Sequence, residues 1–373
     1  MDNQALTQYM NRAIRQLVQD VFKNTLNNPR ETAFLLRFRH HSRLAARRRT
    51  ELEAQGHHIP SFLIASITQS CNLFCSGCYA RAGGICREAE KADELTGAEW
   101  NRLFEQARQA GIQFILLAGG EPLIRQDVLE EAAQFGSILF PIFTNGTLID
   151  QAFCAFLDKH RNLVPVLSLE GGQDKTDQRR GPGTFDMLLG KMQILKKHDL
   201  LYGVSITVTR DNLEEVTSES YVGQLNQLGC RLLFTIEYVP VDPISQLQAI
   251  TDPERKLLAA RQVALKKRYP SIFFLSFPGD EAEMGGCLAA GRGFFHISPS
   301  GEAQACPFSP YADRSLRRQS LLDVLRSDFF KNLQQENLVG GEHTGGCTLY
   351  ERRDAVAAIL QRSGGNPDEV PVP

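Results

Sequence analysis

Residues 61–80 read SFLIASITQSCNLFCSGCYA and place three cysteines directly after a short apolar run. The run at residues 61–68 has the length and near-continuous hydrophobicity of a buried β-strand. Cys71, Cys75 and Cys78 follow it, all three within a stretch of eight residues. Three thiols at this spacing cannot all pair as disulfides. The stretch therefore predicts a strand that ends in a loop whose thiols share a bound group.

The composition is that of an ordinary soluble protein. The chain has 373 residues, 42% hydrophobic and 23% charged, with a formal net charge of -2, which argues against a general nucleic-acid binder. The first residues carry no apolar signal core, and no run of about 18 apolar residues predicts a membrane span. We therefore expect a cytoplasmic protein, in which the nine cysteines bind metal or serve catalysis rather than form disulfides.

Apolar runs and helical stretches alternate from residue 61 to residue 240. Six runs read as buried strands, at residues 61–68, 114–119, 138–145, 164–170, 202–209 and 231–239. Helices are predicted between them, including Thr96–Gly111 with a capping box and a glycine at its end. Regular alternation indicates a parallel sheet with outer helices. Six units are too few for an eight-stranded barrel, so an open partial barrel or a doubly wound sheet remains.

The unusual residues follow the predicted strands at their carboxyl ends, where parallel α/β folds gather their chemistry. After the cysteines come AGGEP at residues 118–122, TNG at 144–146 and SLEGG at 168–172. The topology would bring these loops to one rim.

The cysteine spacing favours an iron–sulfur cluster over zinc. A structural zinc site needs four ligands and usually shows paired CxxC spacing, whereas a [4Fe–4S] cluster held by three thiolates leaves one iron open. The three-plus-two spacing on a first strand, followed by GGEP, resembles the radical S-adenosylmethionine (SAM) superfamily over residues 61–240. The resemblance implies an α/β fold of the partial (β/α)6 TIM-like barrel type. It also implies that SAM chelates the open iron and is cleaved to methionine and a 5′-deoxyadenosyl radical, which abstracts a substrate hydrogen.

The resemblance further assigns cofactor-binding residues. Gly119, Gly120 and Glu121 would meet the methionine amino group, and Ser168 and Glu170 the ribose or the methionine. Arg180, with Arg179 as its rival, would pair with the methionine carboxylate. Asn145, Thr207 and Tyr79 complete the expected set. The residue before the third cysteine is often aromatic in the family and lies near adenine. It is Gly77 here, so groups around Gly77 and Tyr79 are expected to supply that contact.

A second thiol group follows residue 240. Between Cys287 and Cys306, the pattern FFHIS–PSG–EAQAC, which ends at Cys306, predicts a β-hairpin turning at Gly301. Cys347 follows Cys306 after forty intervening residues. The pattern resembles the SPASM and twitch extensions of radical SAM enzymes. Three cysteines are too few for two auxiliary clusters, so one auxiliary [4Fe–4S] cluster is expected. Its fourth iron would be open or bound by Tyr350, Glu351 or His343; the alternative is three scattered structural thiols.

These patterns divide the chain into a helical extension at residues 1–57, a core at 58–243, a linker helix and auxiliary-cluster unit at 244–362, and a disordered tail at 363–373. An arginine patch in the extension reads as a solvated helix face or as a docking surface for an acidic partner. Its members are Arg37, Arg39, Arg43, Arg47, Arg48 and Arg49.

The other three cysteines do not enter these groups. Cys154 and Cys230 read as small buried hydrophobes, and Cys86 is ambiguous.

The expected partners are a peptide or small-molecule substrate and a reductant such as flavodoxin or ferredoxin. Glu237, Tyr238 and Asp242 either face the substrate or are ordinary polar residues at a strand end. A non-catalytic iron–sulfur sensor on the same fold is the competing function. It would need the thiols but not AGGEP, SLEGG or Arg180.

Overall fold

A computed structural model describes residues 2–24, 28–82, 86, 93–240, 245–277, 284–339 and 347–365. One nine-stranded sheet forms its centre, in the order β7-β6-β5-β4-β3-β2-β1-β8-β9. Its strands are β1 Phe62–Ser66, β2 Phe114–Ala118, β3 Phe140–Thr144, β4 Leu163–Leu169, β5 Gly203–Val208, β6 Leu232–Glu237, β7 Phe273–Phe277, β8 His296–Ile297 and β9 Ala303–Gln304. All neighbours pair in parallel except β8 and β9, which are antiparallel.

Helices connect the strands and cover the sheet. In the described ranges they are α1 Asn3–Asn24, α2 Pro29–Ala54, α3 Tyr79–Ala82, α4 Gly97–Ala110, α5 Gln126–Ala133, α6 Gln151–Lys159, α7 Gln173–Arg180, α8 Thr184–Lys197, α9 Leu213–Val216, α10 Glu219–Leu228, α11 Asp252–Arg268, α12 Leu321–Leu325, α13 Asp328–Gln335, α14 Thr348–Glu351 and α15 Arg353–Arg362.

The six predicted strands are confirmed, and so is the helix predicted at Thr96–Gly111, which is α4 and follows the loop that carries Cys71, Cys75 and Cys78 (the cysteine loop). Thr96 and Glu99 form the capping box of α4, and Gly111 ends it in the left-handed conformation, with φ of 87°. The stretch from Leu213 to Leu228 forms two helices, α9 and α10, because the Ser218 hydroxyl accepts a hydrogen bond from the Tyr221 amide and starts a new one.

The expectation that the alternation ends near residue 240 is wrong. Helix α11 leads into β7, which pairs in parallel with β6 along its whole length. The predicted hairpin is confirmed as β8 and β9, and β8 pairs in parallel with β1. Strand β1, which leads into the cysteine loop, is therefore an inner strand of the sheet, with β2 on one side and the hairpin on the other.

The N-terminal helices cover the amino ends of the strands, opposite the cysteine loop. Phe38 of α2 packs edge to face on Phe114, at the start of β2, with ring centroids 5.9 Å apart. Arg49 is almost fully buried and donates to the Gly111 carbonyl and to Gln113 Oε1. Burial lowers the pKa of Arg49 to about 10. The reading of the arginine patch as a solvated face is therefore wrong for Arg49, whereas the other five arginines are exposed.

The structure describes only the first part of the predicted tail at residues 363–373. Residues 363–365 continue from α15, where the Ser363 and Gly365 amides donate to carbonyls of its last turn. The rest of the predicted tail, residues 366–373, lies outside the described residues. No helix in the described ranges combines the length and hydrophobicity that crossing a membrane requires.

Candidate active site

The first thiol group, Cys71, Cys75 and Cys78, lies at the rim formed by the carboxyl ends of the parallel strands. β1 ends at Ser66, a few residues before the loop, and all three thiols are partly exposed. Cys71 and Cys78 also pack beside Cys86, which is buried. The structure thus places a fourth thiol next to the first group, and Cys86 is not a remote structural cysteine.

The thiol spacing does not suit a single metal ion. Among the residues that the structure describes, no three His, Cys, Asp or Glu side chains form a set that could hold one ion. A zinc ion needs its donors within about 2.0–2.3 Å of one point. A cubane cluster instead presents a separate iron to each thiolate. That the first thiol group holds such a cluster stays a prediction.

Helix α7 holds the cysteine loop through Arg179. Its guanidinium donates to the Ser76 carbonyl at 3.1 Å and to the Gly77 carbonyl at 3.3 Å. The Ser76 amide in turn donates to the Arg179 carbonyl at 2.8 Å. Gly77 has a positive φ of 63°, a conformation that favours glycine. The loop between the second and third cysteines is thus fixed by hydrogen bonds between its main-chain atoms and Arg179.

The glycine edge, Gly119 and Gly120 at the end of β2, packs against Thr68 and Ser70, which lead into the same loop. The Gly120 amide donates to the Thr68 carbonyl, and the Glu121 amide donates to the Ser70 carbonyl, both at 2.8 Å. A Cβ atom on Gly120 would lie 2.0 Å from the Ser70 oxygen, and one on Gly119 would lie 2.5 Å from the Thr68 oxygen. Both glycines are therefore required for the two loops to run side by side.

Glu121 joins the ends of two strands. Its buried carboxylate accepts hydrogen bonds from Thr144 Oγ1 at 2.7 Å, from the Asn145 amide at 2.8 Å and from the Leu123 amide at 3.0 Å. Burial raises the pKa of Glu121, while these donors act in the opposite direction. The Asn145 side chain donates to Asn72 Oδ1 at 2.8 Å. The Asn145 side chain thus contacts the cysteine loop directly, and the Glu121 carboxylate holds the Asn145 main chain in place.

Glu170 and Arg180 form a buried ion pair beside Cys75. The Glu170 carboxylate accepts from Arg180 Nε at 3.0 Å, from Arg180 Nη2 at 2.5 Å and from Arg179 Nη1 at 3.0 Å. Arg180 Nη1 points at Cys75 Sγ, 3.9 Å away. Burial raises the pKa of the Cys75 thiol, and the Arg180 charge lowers it. A cation is therefore in place to stabilise a thiolate at Cys75.

The other expected cofactor residues lie on the same rim with fewer contacts. Ser168 Oγ and Ser205 Oγ are 3.3 Å apart on the paired strands β4 and β5. Thr207, near the end of β5, is partly exposed. The Tyr79 ring contacts the Phe308 ring with centroids 5.2 Å apart. Tyr79 thus connects the cysteine loop to the region that follows the hairpin.

The hairpin brings the second thiol group together. The Ala290 amide, in the loop after Cys287, donates to the Ala305 carbonyl at 3.0 Å, next to Cys306. The side chains of Cys306 and Cys347 are hydrogen-bonded, and Cys287 lies close enough to act on the same thiol. Burial, more than these neighbours, raises the pKa of Cys306. Of the suggested fourth ligands, Tyr350 and Glu351 lie on α14, and His343 lies outside the described residues.

The remaining cysteines are core residues, as expected. Cys154 and Cys230 are fully buried in the main hydrophobic core, and Cys230 Sγ donates to the Leu232 carbonyl at 3.1 Å. Neither belongs to a thiol group.

Two residues make more contacts at the site than their sequence context predicts. Arg179 was only an alternative to Arg180, yet both contact Glu170 and the cysteine loop. Tyr238 was one of several strand-end candidates, yet its ring lies against Gly77. Adjacent arginines on a helix point in different directions, so the pair itself was a signal for two roles. No local pattern could have placed Tyr238 beside a loop about 160 residues earlier.

Comparison with known proteins shows what this chain is similar to. Residues 65–218 match the family model described as the radical SAM superfamily. The chain is 26% identical over 333 residues to the AdoMet-dependent heme synthase of Methanosarcina barkeri, covering 82% of this chain and 92% of that protein. It is 26% identical to the mycofactocin maturase MftC of Mycolicibacterium smegmatis, covering 77% of this chain and 75% of the relative.

A solved structure shows the same fold. The crystal structure of Streptococcus suis SuiB bound to S-adenosylmethionine superposes with a TM-score of 0.63 at 19% identity, covering 79% of this chain and 72% of that one. Residues 65–218 of the chain are a radical SAM domain. Its relatives in that superfamily are enzymes, and the chain is an enzyme of the same class.

Proposed function

We propose that the protein binds a [4Fe–4S] cluster through Cys71, Cys75 and Cys78, and that SAM bound at the open iron is cleaved reductively there. When bound, the cluster and SAM supply a one-electron cleavage of the sulfonium that yields methionine and a carbon radical able to abstract a substrate hydrogen. The observation that carries the proposal is the placement of Arg180 between Glu170 and Cys75 at the rim of the parallel sheet.

The chain's own residues prepare this site. Arg180 stabilises the thiolate of Cys75, and Glu170 balances the charge of both arginines. Gly119 and Gly120 bring the end of β2 against the cysteine loop, so their backbone lies where a ligand on that loop would meet it. The Glu121 carboxylate holds this edge in place by accepting hydrogen bonds from Thr144 and Asn145 at the end of β3. Ser168, Thr207 and Asn145 extend the polar rim on which a nucleoside or an amino acid would be oriented.

The test is formation of 5′-deoxyadenosine by the anaerobically reconstituted, reduced protein. The wild-type chain should form it, and a variant with Cys71, Cys75 and Cys78 replaced by Ala should not. The Cys154→Ala variant is a matched control, because Cys154 is buried in the core away from both thiol groups. An intact cluster with no 5′-deoxyadenosine in the wild type would favour the non-catalytic sensor instead.

We also propose that Cys287, Cys306 and Cys347 hold one auxiliary [4Fe–4S] cluster in a unit at residues 244–362. Support comes from the contact between the Cys306 and Cys347 side chains and the nearby Cys287. Each cluster contributes about four irons. The first-group triple variant should therefore keep about half of the wild-type iron and sulfide. Loss of all iron from that variant, still folded, would reduce these cysteines to structural residues.

The substrate is proposed to be a peptide or a small molecule, with an electron supplied by a flavodoxin or ferredoxin. The relatives named above as a heme synthase and as a mycofactocin maturase support one class each. Mass spectrometry of peptides and metabolites, in cells with and without the gene, separates the classes. A peptide whose mass changes only when the first thiol group is intact would assign the maturase class.

A further inference from the structure

Helix α2 carries a long basic stretch on the side of the molecule opposite the cysteine loop. Residues 32–50 contain six arginines and two histidines but no Asp or Glu, although the whole chain has a formal net charge of -2. The side of α2 that packs on the protein is apolar and includes Phe34, Leu35 and Phe38. The five exposed arginines form what we call the arginine face: Arg37, Arg39, Arg43, Arg47 and Arg48.

Most of the arginine face has no counter-charge. Arg48 lies 3.8 Å from a Glu51 carboxylate oxygen, but the other four arginines make no ion pair or hydrogen bond with any residue that the structure describes. Arg39, Arg43 and Arg47 are also spaced four residues apart, which puts like charges on successive turns of the helix and destabilises it. Helix α2 thus retains a repulsion that nothing in the described chain relieves.

A cavity of about 680 Å³ borders the arginine face at Arg37. Its cationic lining residues are Arg37, Arg108, Lys159 and Arg161. Arg108 and Arg161 are paired with carboxylates, whereas Arg37 and Lys159 are not paired within the described part of the chain. Burial lowers the pKa of His41 in the same lining, and the positive charges around it lower this pKa further. The cavity therefore continues the positive charge of the arginine face.

We propose that the arginine face and this cavity bind an acidic peptide segment of a partner chain. A guanidinium pairs with a carboxylate through two parallel hydrogen bonds. Residues four apart on a helix are separated by about 6 Å along its axis, close to the spacing of roughly 6.6 Å between alternate residues of an extended peptide. A cavity of this volume accommodates several side chains rather than a folded domain. The surface lies away from both thiol groups, so the proposal does not depend on the function proposed above.

The surface fits an acidic peptide better than a membrane or a nucleic acid. A helix that lies on a membrane inserts its apolar face, but the apolar face of α2 is buried, and its exposed large hydrophobic residues are Leu36 and Leu44. A nucleic-acid binder usually carries an excess of positive charge, whereas this chain has a formal net charge of -2. A short peptide meets only the local charge of α2.

The test is fluorescence anisotropy of a labelled peptide of about ten residues, alternating Glu and Ala, titrated with the full chain at low ionic strength. The same peptide with Gln in place of Glu should not bind. In the triple variant Arg39→Gln, Arg43→Gln and Arg47→Gln, the Kd for the acidic peptide should rise about 10-fold or more. The variant should unfold at a midpoint no lower than that of the wild type, because the like-charge repulsion is gone.

Two further variants make the test specific. The control is Lys256→Gln, Lys266→Gln and Lys267→Gln, which removes three exposed cations from α11 and should leave the Kd unchanged. The pair Arg37→Gln and Lys159→Gln removes the unpaired cations of the cavity and should also weaken binding. Iron content and 5′-deoxyadenosine formation should be the same in all of these variants and the wild type.

Several outcomes would overturn the assignment. Equal binding of the Glu and Gln peptides, or no binding of the acidic peptide by the folded wild type, would remove the peptide site. An equal loss in the α2 and α11 triple variants would assign the effect to net charge alone. Wild-type affinity in the cavity pair would exclude the cavity from the site. Tighter binding of phosphatidylserine vesicles or of a single-stranded oligonucleotide, lost in the α2 triple variant, would assign the arginine face to that partner instead.

Discussion

Arg180 is held between a carboxylate and a thiol, and this arrangement has a measurable consequence for the proposed cluster. Its guanidinium is paired with Glu170 and faces Cys75 Sγ at 3.9 Å. A cation and an N–H donor beside a cluster thiolate stabilise the reduced, more negative state. Arg180→Leu should therefore lower the reduction potential of the first cluster. Losing about 1 kcal/mol of this stabilisation corresponds to about 40 mV for one electron.

The potential should be measured by redox titration followed by electron paramagnetic resonance in the variant that lacks the second thiol group. Arg210→Leu is the control, since Arg210 is paired with Glu254 at the exposed surface. An unchanged or raised potential in Arg180→Leu would mean that the guanidinium does not act on Cys75.

The lack of a side chain at Gly120 allows the cysteine loop to pack against it, in addition to leaving room for a ligand. A Cβ atom there would lie 2.0 Å from the Ser70 carbonyl oxygen, a backbone atom that cannot turn aside. Gly120→Ala should consequently displace the loop and lower the iron content, in addition to weakening SAM binding. Gly190→Ala is the matched control, because a Cβ at Gly190 on α8 meets no atom within 4 Å. Full iron loading of Gly120→Ala, in a protein with wild-type helicity, would show that the loop tolerates the change.

Among the elements, the hairpin β8–β9 is fastened to β1 by a buried histidine. His296 Nε2 lies 2.8 Å from Ser66 Oγ and Nδ1 lies 2.7 Å from Gln304 Oε1. The side-chain NH2 of Gln304 donates to the Pro310 carbonyl, so Gln304 Oε1 accepts a hydrogen bond from His296 Nδ1–H. The Ser66 hydroxyl therefore donates to His296 Nε2. Burial lowers the pKa of His296 to about 4. The hairpin is thus held by a neutral imidazole.

The pKa of His296 predicts a pH dependence of stability. It lies below the unfolded value of about 6.5, so the unfolded chain binds more protons between these two values. Stability from this group is complete above about pH 6.5 and is lost as the pH falls towards 4, by up to about 3 kcal/mol. The denaturation midpoint of the metal-free protein should show it. His296→Asn should lower the midpoint at neutral pH and flatten its slope in this window; an unchanged slope would contradict the assignment.

At the scale of the whole molecule, the sequence patterns located the sheet but not its edges. Apolar runs between helical stretches identified β1 to β6, because a strand buried on both faces appears in the sequence as a near-continuous apolar run. Strand β7 was missed, since its parallel pairing with β6 depends on the crossover by α11. The attachment of the hairpin to β1 was missed for the same reason: the partners are separated by more than 200 residues.

The candidate site divides in the same way. The three cysteines of the first group and the glycine edge belong to local motifs, and they could be predicted. The contacts of Arg179 with Ser76 and of Tyr238 with Gly77 arise only when distant strand ends meet at one rim. Side chains that serve a site from several strands therefore require the fold to be known first.

The central claim is that the first thiol group holds a cluster with an iron open to SAM. The most direct measurement is the electron paramagnetic resonance spectrum of the reduced variant with Cys287, Cys306 and Cys347 replaced by Ala, recorded with and without SAM. Removing the second group leaves only the first cluster, about four irons per chain, to be observed. We predict a reduced-cluster signal that changes shape when SAM is added. A signal that SAM leaves unchanged, in a folded protein with its iron in place, would contradict the claim.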